Sequence, residues 1–195
     1  MTAVDFDPAP SSALEDLTGD YRLDLEHSRI GFIARHAMVT SVRGAFAEFE
    51  GTAHLDSAHP VNSSAEICVE VTSLSTGNDQ RDAHLRSADF FDAATYPKLT
   101  FTSTAVEHVG ENIFRLTGDL TIKDLTRPIA VELTFIGSSR DPYGALRAGF
   151  EGRATINRRD WGLSWNAVME TGGLLVSDKI KLELDVSAVK VPAVI

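Results

Sequence analysis

Residues 146–156 read LRAGFEGRATI, and this stretch decides the fold. Leu146, Ala148, Phe150, Gly152, Ala154 and Ile156 share one parity; Arg147, Glu151, Arg153 and Thr155 fall on the other. A period of two over this length marks an extended strand with one dry and one wet face. One-sided strands build antiparallel sheets, whereas strands covered by helices on both faces read as continuous apolar runs.

The same period recurs on both sides of this stretch. Tyr21, Leu23 and Leu25 alternate with polar residues, as do Phe49, Gly51, Ala53 and Leu55, then Ala65, Ile67, Val69 and Val71. Leu99 and Phe101 follow, then Phe114, Leu116, Gly118, Leu120 and Ile122, then Ile129, Val131, Leu133 and Phe135. Ile180, Leu182, Leu184 and Val186 complete the set. Turn signals at residues 110–112, 123–128 and 141–144 separate the strands. The expectation is an all-β chain, an extended eight-stranded antiparallel barrel. Two regions depart from the period. Residues 78–94 carry an N-cap (Asn78 or Asp79) and near-helical spacing of Ala83, Leu85 and Ala88, so one short helix is expected there. Residues 35–45 are ambiguous, and Met38, Val39 and Val42 suit a second short helix. Residues 1–19 read as a flexible acidic arm and 20–190 as the barrel domain.

Composition narrows the function. The chain has 195 residues, 43% of them hydrophobic, enough for a core without disulfide or metal staples. Its net charge of −10 repels phosphate backbones and argues against nucleic acid as a partner. No window approaches a membrane span of roughly 18 apolar residues, so no stable membrane insertion is expected. The N-terminus lacks a basic start and an apolar run, which suggests a cytoplasmic protein. Cys68 has no second cysteine to pair with and reads as a buried, inert thiol.

An eight-stranded barrel either fills its interior or holds one small ligand. The dry faces mix large residues with small ones, and composition alone leaves both outcomes open. The candidate chamber residues are Phe32, Phe49, Ile67, Val69, Phe101, Phe114, Leu116, Leu133, Phe135, Phe150, Gly152, Ala154 and Leu182. A chamber so lined binds by apolar burial, which suits a long, greasy ligand.

Five segments in register resemble the YceI-like proteins, a lipocalin-like group associated with polyisoprenoid binding. They are YRLDLEHSRIGFIARH at 21–36, GAFAEFEG at 44–51, SLSTGNDQRDAHLRSADFFDAATYPKLTFTST at 73–104, GDLTIKDLTRP at 118–128 and NRRDWGL at 157–163. The resemblance implies an extended barrel closed near the helix region, with an amphipathic isoprenoid-type chain along its centre. Many members carry a secretory signal; this chain begins instead with an acidic arm.

Polar selectivity then falls to the barrel mouth. Arg81, His84, Phe91, Arg158, Trp161 and Trp165 are its candidate head-group residues. Each has a plain structural alternative: Arg81 pairing with a neighbour, Phe90 and Phe91 plugging one end, and an Arg–Asp pair bracing residues 157–161. No GxSxG, P-loop or GxGxxG motif occurs, and the six histidines lack ligand spacing. No catalytic residue, metal or cofactor is therefore assigned. The leading reading is a non-catalytic carrier of an isoprenoid-type lipid, either a polyprenyl chain or a quinone. The rivals are a barrel enzyme acting on a lipid-like or lactone-like substrate, with His36 or His84 as base, and a filled structural module that dimerises. A homodimer is left open.

Overall fold

The computed structural model describes residues 17–168 and 175–192. Its strands are β1 (Gly19–Leu23), β2 (Arg29–His36), β3 (Thr40–Phe46), β4 (Phe49–Leu55), β5 (Ser64–Glu70) and β6 (Leu74–Ser75), followed by β7 (Lys98–Gly110), β8 (Ile113–Ile122), β9 (Leu125–Arg140), β10 (Leu146–Asn157) and β11 (Val176–Lys190). The α1 helix (Asp79–Arg86) lies between β6 and β7.

Every pairing is antiparallel, in the order β1-β4-β5-β7-β8-β9-β10-β11, and β1 returns to β11 to close the ring. The closure pairs Tyr21 with Lys190, Arg22 with Val189 and Leu23 with Ala188. The first half of the chain forms long strands with breaks. β1 and β2 both lie on β11, separated by a 3₁₀ turn at Leu25–His27. β3 continues the line of β4, and β6 that of β5. The eleven segments therefore make an eight-stranded closed barrel, as the sequence predicts.

The ring has two ends. The lower carries Leu17, the β4–β5 loop and the β7–β8 and β9–β10 turns. The upper carries α1, the β2–β3 turn and the 3₁₀ turn Arg158–Trp161. At the upper end β6 pairs only with β3, and β7 only with β5 and β8. The helix and the turn after it fill that seam.

The structure corrects three expectations. Residues 35–45 form no helix. They make a hairpin in which β2 and β3 pair from Ile30↔Phe46 to His36↔Thr40. Its turn places Ala37 (φ 51°) and Met38 (φ 59°) in the left-handed region. Outward-facing Ile33 and the small pair Gly44-Ala45 blur the alternation there. Of the expected arm, secondly, residues 1–16 lie outside the described residues, and Leu17 and Thr18 pack on the barrel. Leu17 is only 3% exposed, the Tyr21 hydroxyl donates to its carbonyl at 2.8 Å, and the Thr18 and Ser57 hydroxyls lie 2.9 Å apart. Cys68, thirdly, is half-buried on the outer face between Glu50 and Thr100.

The α1 helix is held from within. Its Asn78 cap accepts from the Arg81 amide at 2.9 Å. Asp82 is buried and accepts from the Thr76 amide at 2.9 Å and the Thr76 hydroxyl at 2.5 Å. Burial alone would raise the pKa of this carboxyl. The Thr76 and Ser75 hydrogen bonds and the Arg86 charge outweigh it and hold the pKa below the ordinary value.

Two outcomes follow. Removing residues 1–18, or making Leu17→Ala, lowers the thermal midpoint, the substitution costing about 2–5 kcal/mol; melting curves check it. Because Asp82 has a depressed folded pKa, its contribution is complete above the unfolded value near 4 and lost as pH falls through the folded one. Asp82→Asn therefore lowers stability at neutral pH by about 1–3 kcal/mol and flattens acid unfolding, which denaturant titrations across pH measure.

Candidate functional site

The barrel is packed at mid-height and hollow at both ends. The packing pairs small residues with large neighbours. Phe32 lies over Gly44 on the adjacent strand, and Phe101 over Gly118. Leu133 and Leu184 close over Gly152, where an added Cβ would come within 2.9 Å of each. A central layer of Ile30, Phe46, Phe49, Val69 and Leu74, joined by Phe32 and Phe91, separates the hollows. The Phe32 and Phe46 rings are centred 5.9 Å apart and those of Phe46 and Phe91 6.3 Å apart.

The lower hollow has a volume of about 260 Å³. Leu23, Ala53, Ala65, Ile67, Val106, Phe114, Leu116, Leu133, Phe150, Leu184, Val186 and Ala188 form its walls, with Leu17 and Leu55 towards the opening. Its polar lining residues are Asp56, Ser57 and Ser63 in the β4–β5 loop, with Thr52, Ser64, Glu66 and His108 on the strands. The His108 ring stacks on Phe114 at 4.8 Å.

The upper hollow, about 400 Å³, lies beneath α1. Phe32, Ala34, Val42, Leu85, Phe90, Trp165, Leu175 and Val176 supply its apolar wall. Arg35, His36, Asn78, Gln80, Arg81 and His84 supply its polar edge. His84 meets Trp165 edge-on at 4.5 Å and Phe90 at 5.2 Å, and its Nε2 lies 2.8 Å from Asp89 Oδ2. Arg81 donates from Nε to the Thr76 hydroxyl at 2.7 Å and from a terminal nitrogen to the Thr76 carbonyl at 3.0 Å.

The residues singled out from sequence fall into separate groups. Ile67, Phe114, Leu116, Leu133 and Phe150 line the lower hollow. Phe32, Arg81, His84 and Trp165 line the upper. Phe49, Val69, Phe101 and Phe135 are buried in the packed core, and Ala154 and Leu182 pack against it. Gly152 belongs there too, so it is filled space and not tunnel wall. Phe91 sits in the central layer, below the mouth.

Arg158 and Trp161 are used up inside the protein. Arg158 is 3% exposed; it bonds the carbonyls of Leu163, Trp165 and Ser177 and reaches Asp178 at 3.2 Å. Trp161 is buried and donates from Nε1 to the Leu120 carbonyl at 2.9 Å. Both fasten the upper turn, leaving no polar atom for a head group.

Val106 and His108 escaped the sequence reading because β7 shifts register between Ser103 and Ala105, flipping the parity beyond it. Among the described residues no group of three or more His, Cys, Asp or Glu is placed to hold a metal, and no helix is long and apolar enough to cross a membrane.

A closed antiparallel barrel with a packed waist and apolar hollows at its ends is a lipocalin-like architecture. A sequence model of the YceI-like domain matches residues 21–188, and the chain belongs to that family. Protein YceI of Escherichia coli is 38% identical over 154 residues, covering 78% of this chain and 80% of that protein. The crystal structure of Burkholderia cenocepacia BcnA superposes with a TM-score of 0.75 at 26% identity, covering 85% of this chain and 98% of BcnA. A polyisoprenoid binding domain from Saccharophagus degradans has the same fold, with a TM-score of 0.67 at 18% identity over 88% of this chain and 98% of that one.

The crowding at Gly152 gives a direct test. Gly152→Leu overpacks the waist and lowers stability by about 1–3 kcal/mol in the lipid-free protein, read by denaturant unfolding.

Proposed function

We propose that this protein is a non-catalytic carrier of a long-chain isoprenoid-type lipid, a polyprenyl chain or an isoprenoid quinone. The observation that carries the reading is the lower hollow, whose lining is mainly apolar side chains from all around the ring, with its polar residues gathered mostly on β4, β5 and the loop between them. Such a space takes up a hydrocarbon chain at about 0.8 kcal/mol per buried CH₂ and offers a polar solute few partners along its depth. The upper mouth supplies the complement: an aromatic group (Phe90, Trp165, His84) beside Arg81, suited to a planar or anionic head. The S. degradans domain, named for polyisoprenoid binding, points the same way.

Binding is favoured over catalysis because, among the described residues lining the upper hollow, the His84–Asp89 pair has no serine, threonine or cysteine beside it to activate.

Incubation with a polyprenyl alcohol or a long-chain quinone is expected to raise the thermal midpoint by about 5–10 °C at a hundredfold excess over Kd, through binding to the native state alone. Ala65→Trp, which fills the lower hollow, is expected to abolish that shift in a chain that still folds. No shift with either lipid, together with a lipid-free organic extract of the purified protein, would sink the carrier reading.

A further inference from the structure

The β2–β3 turn does something a soluble surface turn ordinarily avoids. Ala37 and Met38 adopt left-handed backbone without being Gly or Asn, and the turn thrusts Met38 (69% exposed) and Val39 (77%) into solvent. Hydrogen bonds fix the tip in place. The Ala37 amide donates to the Leu175 carbonyl at 2.8 Å, and the Leu175 amide to the Ala167 carbonyl at 2.9 Å. Val168, 80% exposed, thereby joins the same rim. Scattered single apolar residues are normal on a surface; three gathered at one opening are not.

Charge is distributed just as unevenly. The chain carries 28 acidic residues against 18 Lys and Arg, yet residues 35–43 hold Arg35, His36 and Arg43 with no Asp or Glu. Among the described residues that line the upper hollow there is no Asp or Glu, and Asp89 beside it is paired with His84 at 2.8 Å, whereas Asp56 and Glu66 line the lower hollow. Arg35, His36 and Arg81 lie on the polar edge of the upper hollow, and among the described residues the Arg35 guanidinium reaches only the Val39 carbonyl, at 3.5 Å. An apolar tip flanked by cations, on an otherwise acidic protein, complements an anionic lipid surface.

We propose that the upper rim docks on an anionic lipid bilayer, with Met38, Val39 and Val168 entering the head-group layer and Arg35 meeting lipid phosphates. The proposal rests on the carrier reading and adds the route of loading. A chain insoluble in water passes from bilayer to barrel without crossing solvent when the mouth rests on the membrane.

The test is flotation of the full-length protein with phosphatidylcholine vesicles, with and without phosphatidylglycerol, beside quinone uptake from detergent micelles. The wild type is expected to float with the anionic vesicles and to release as salt is raised. Met38→Asp with Val39→Asp is expected to lower the partition coefficient about tenfold or more, and Arg35→Ala about fivefold. Uptake from micelles should be unchanged in the Met38/Val39 variant, since neither residue lines a hollow. A wild type that takes up quinone from micelles but floats with neither vesicle would overturn the docking while leaving the carrier reading intact. Flotation without uptake would do the reverse. A concentration-dependent dimer, broken by the same double variant with no vesicle binding, would also overturn the proposal and assign the patch to a second copy of the chain.

Discussion

The backbone of a sheet edge must find partners, and in this protein it finds them by meeting itself. β1 is only five residues long, yet it bridges β4 on one side and β11 on the other, so the lower band of the barrel has no edge. The buried Tyr21 sits at the middle of that closure, and the ring it completes determines which faces can be dry. With an edge left open, the interior faces of β4, β5 and β10 would be exposed to water. Closed, they enclose an interior whose only exits are the two ends.

What fills that interior follows from pairs across neighbouring strands. Glycines at 44, 118 and 152 do not hollow the barrel; each receives a large side chain from the strand beside it. The space that remains lies where this pairing stops. At the lower end Ala53 and Ala65 pair directly across β4 and β5 and, with Ala188, line the space that is left. Two chains of identical composition would thus differ in capacity according to whether each small residue stands beside an aromatic one. A residue's own size says little about the volume at its position.

This explains what the sequence disclosed. Strands with unbroken alternation, above all β8 and β10, were legible because one face is charged and the other apolar. β7 and β9 were legible only in part, since each contains a bulge: Ser103 to Ala105 in one, and the Ile136–Gly137 step opposite Gly149 in the other. Beyond each bulge the parity reverses, so Val106 and His108 read as noise. The β2–β3 hairpin was hidden because Ile33 faces outward and Gly44 inward, the opposite of what hydropathy suggests. The mouth was harder still. Arg81, Arg158 and Trp161 are equally plausible head-group residues in one dimension. Only the partners of their nitrogen atoms separate an arginine on a cavity wall from one that ties three carbonyls together.

The upper seam, where β6 and β7 fail to pair and α1 lies between them, has a mechanical meaning. Every other junction in the ring is a ladder whose rungs break together or not at all. This one is a hasp: a capped helix, the Asp82–Thr76 clasp and the turn from Phe90 to Ala93. A hasp can lift while the hoop beneath it stays whole. The barrel can widen at the mouth that faces its aromatic lining, keep its waist and base in register, and return to the same shape afterwards. On the carrier reading, passage of a bulky guest would strain one short element instead of the fold.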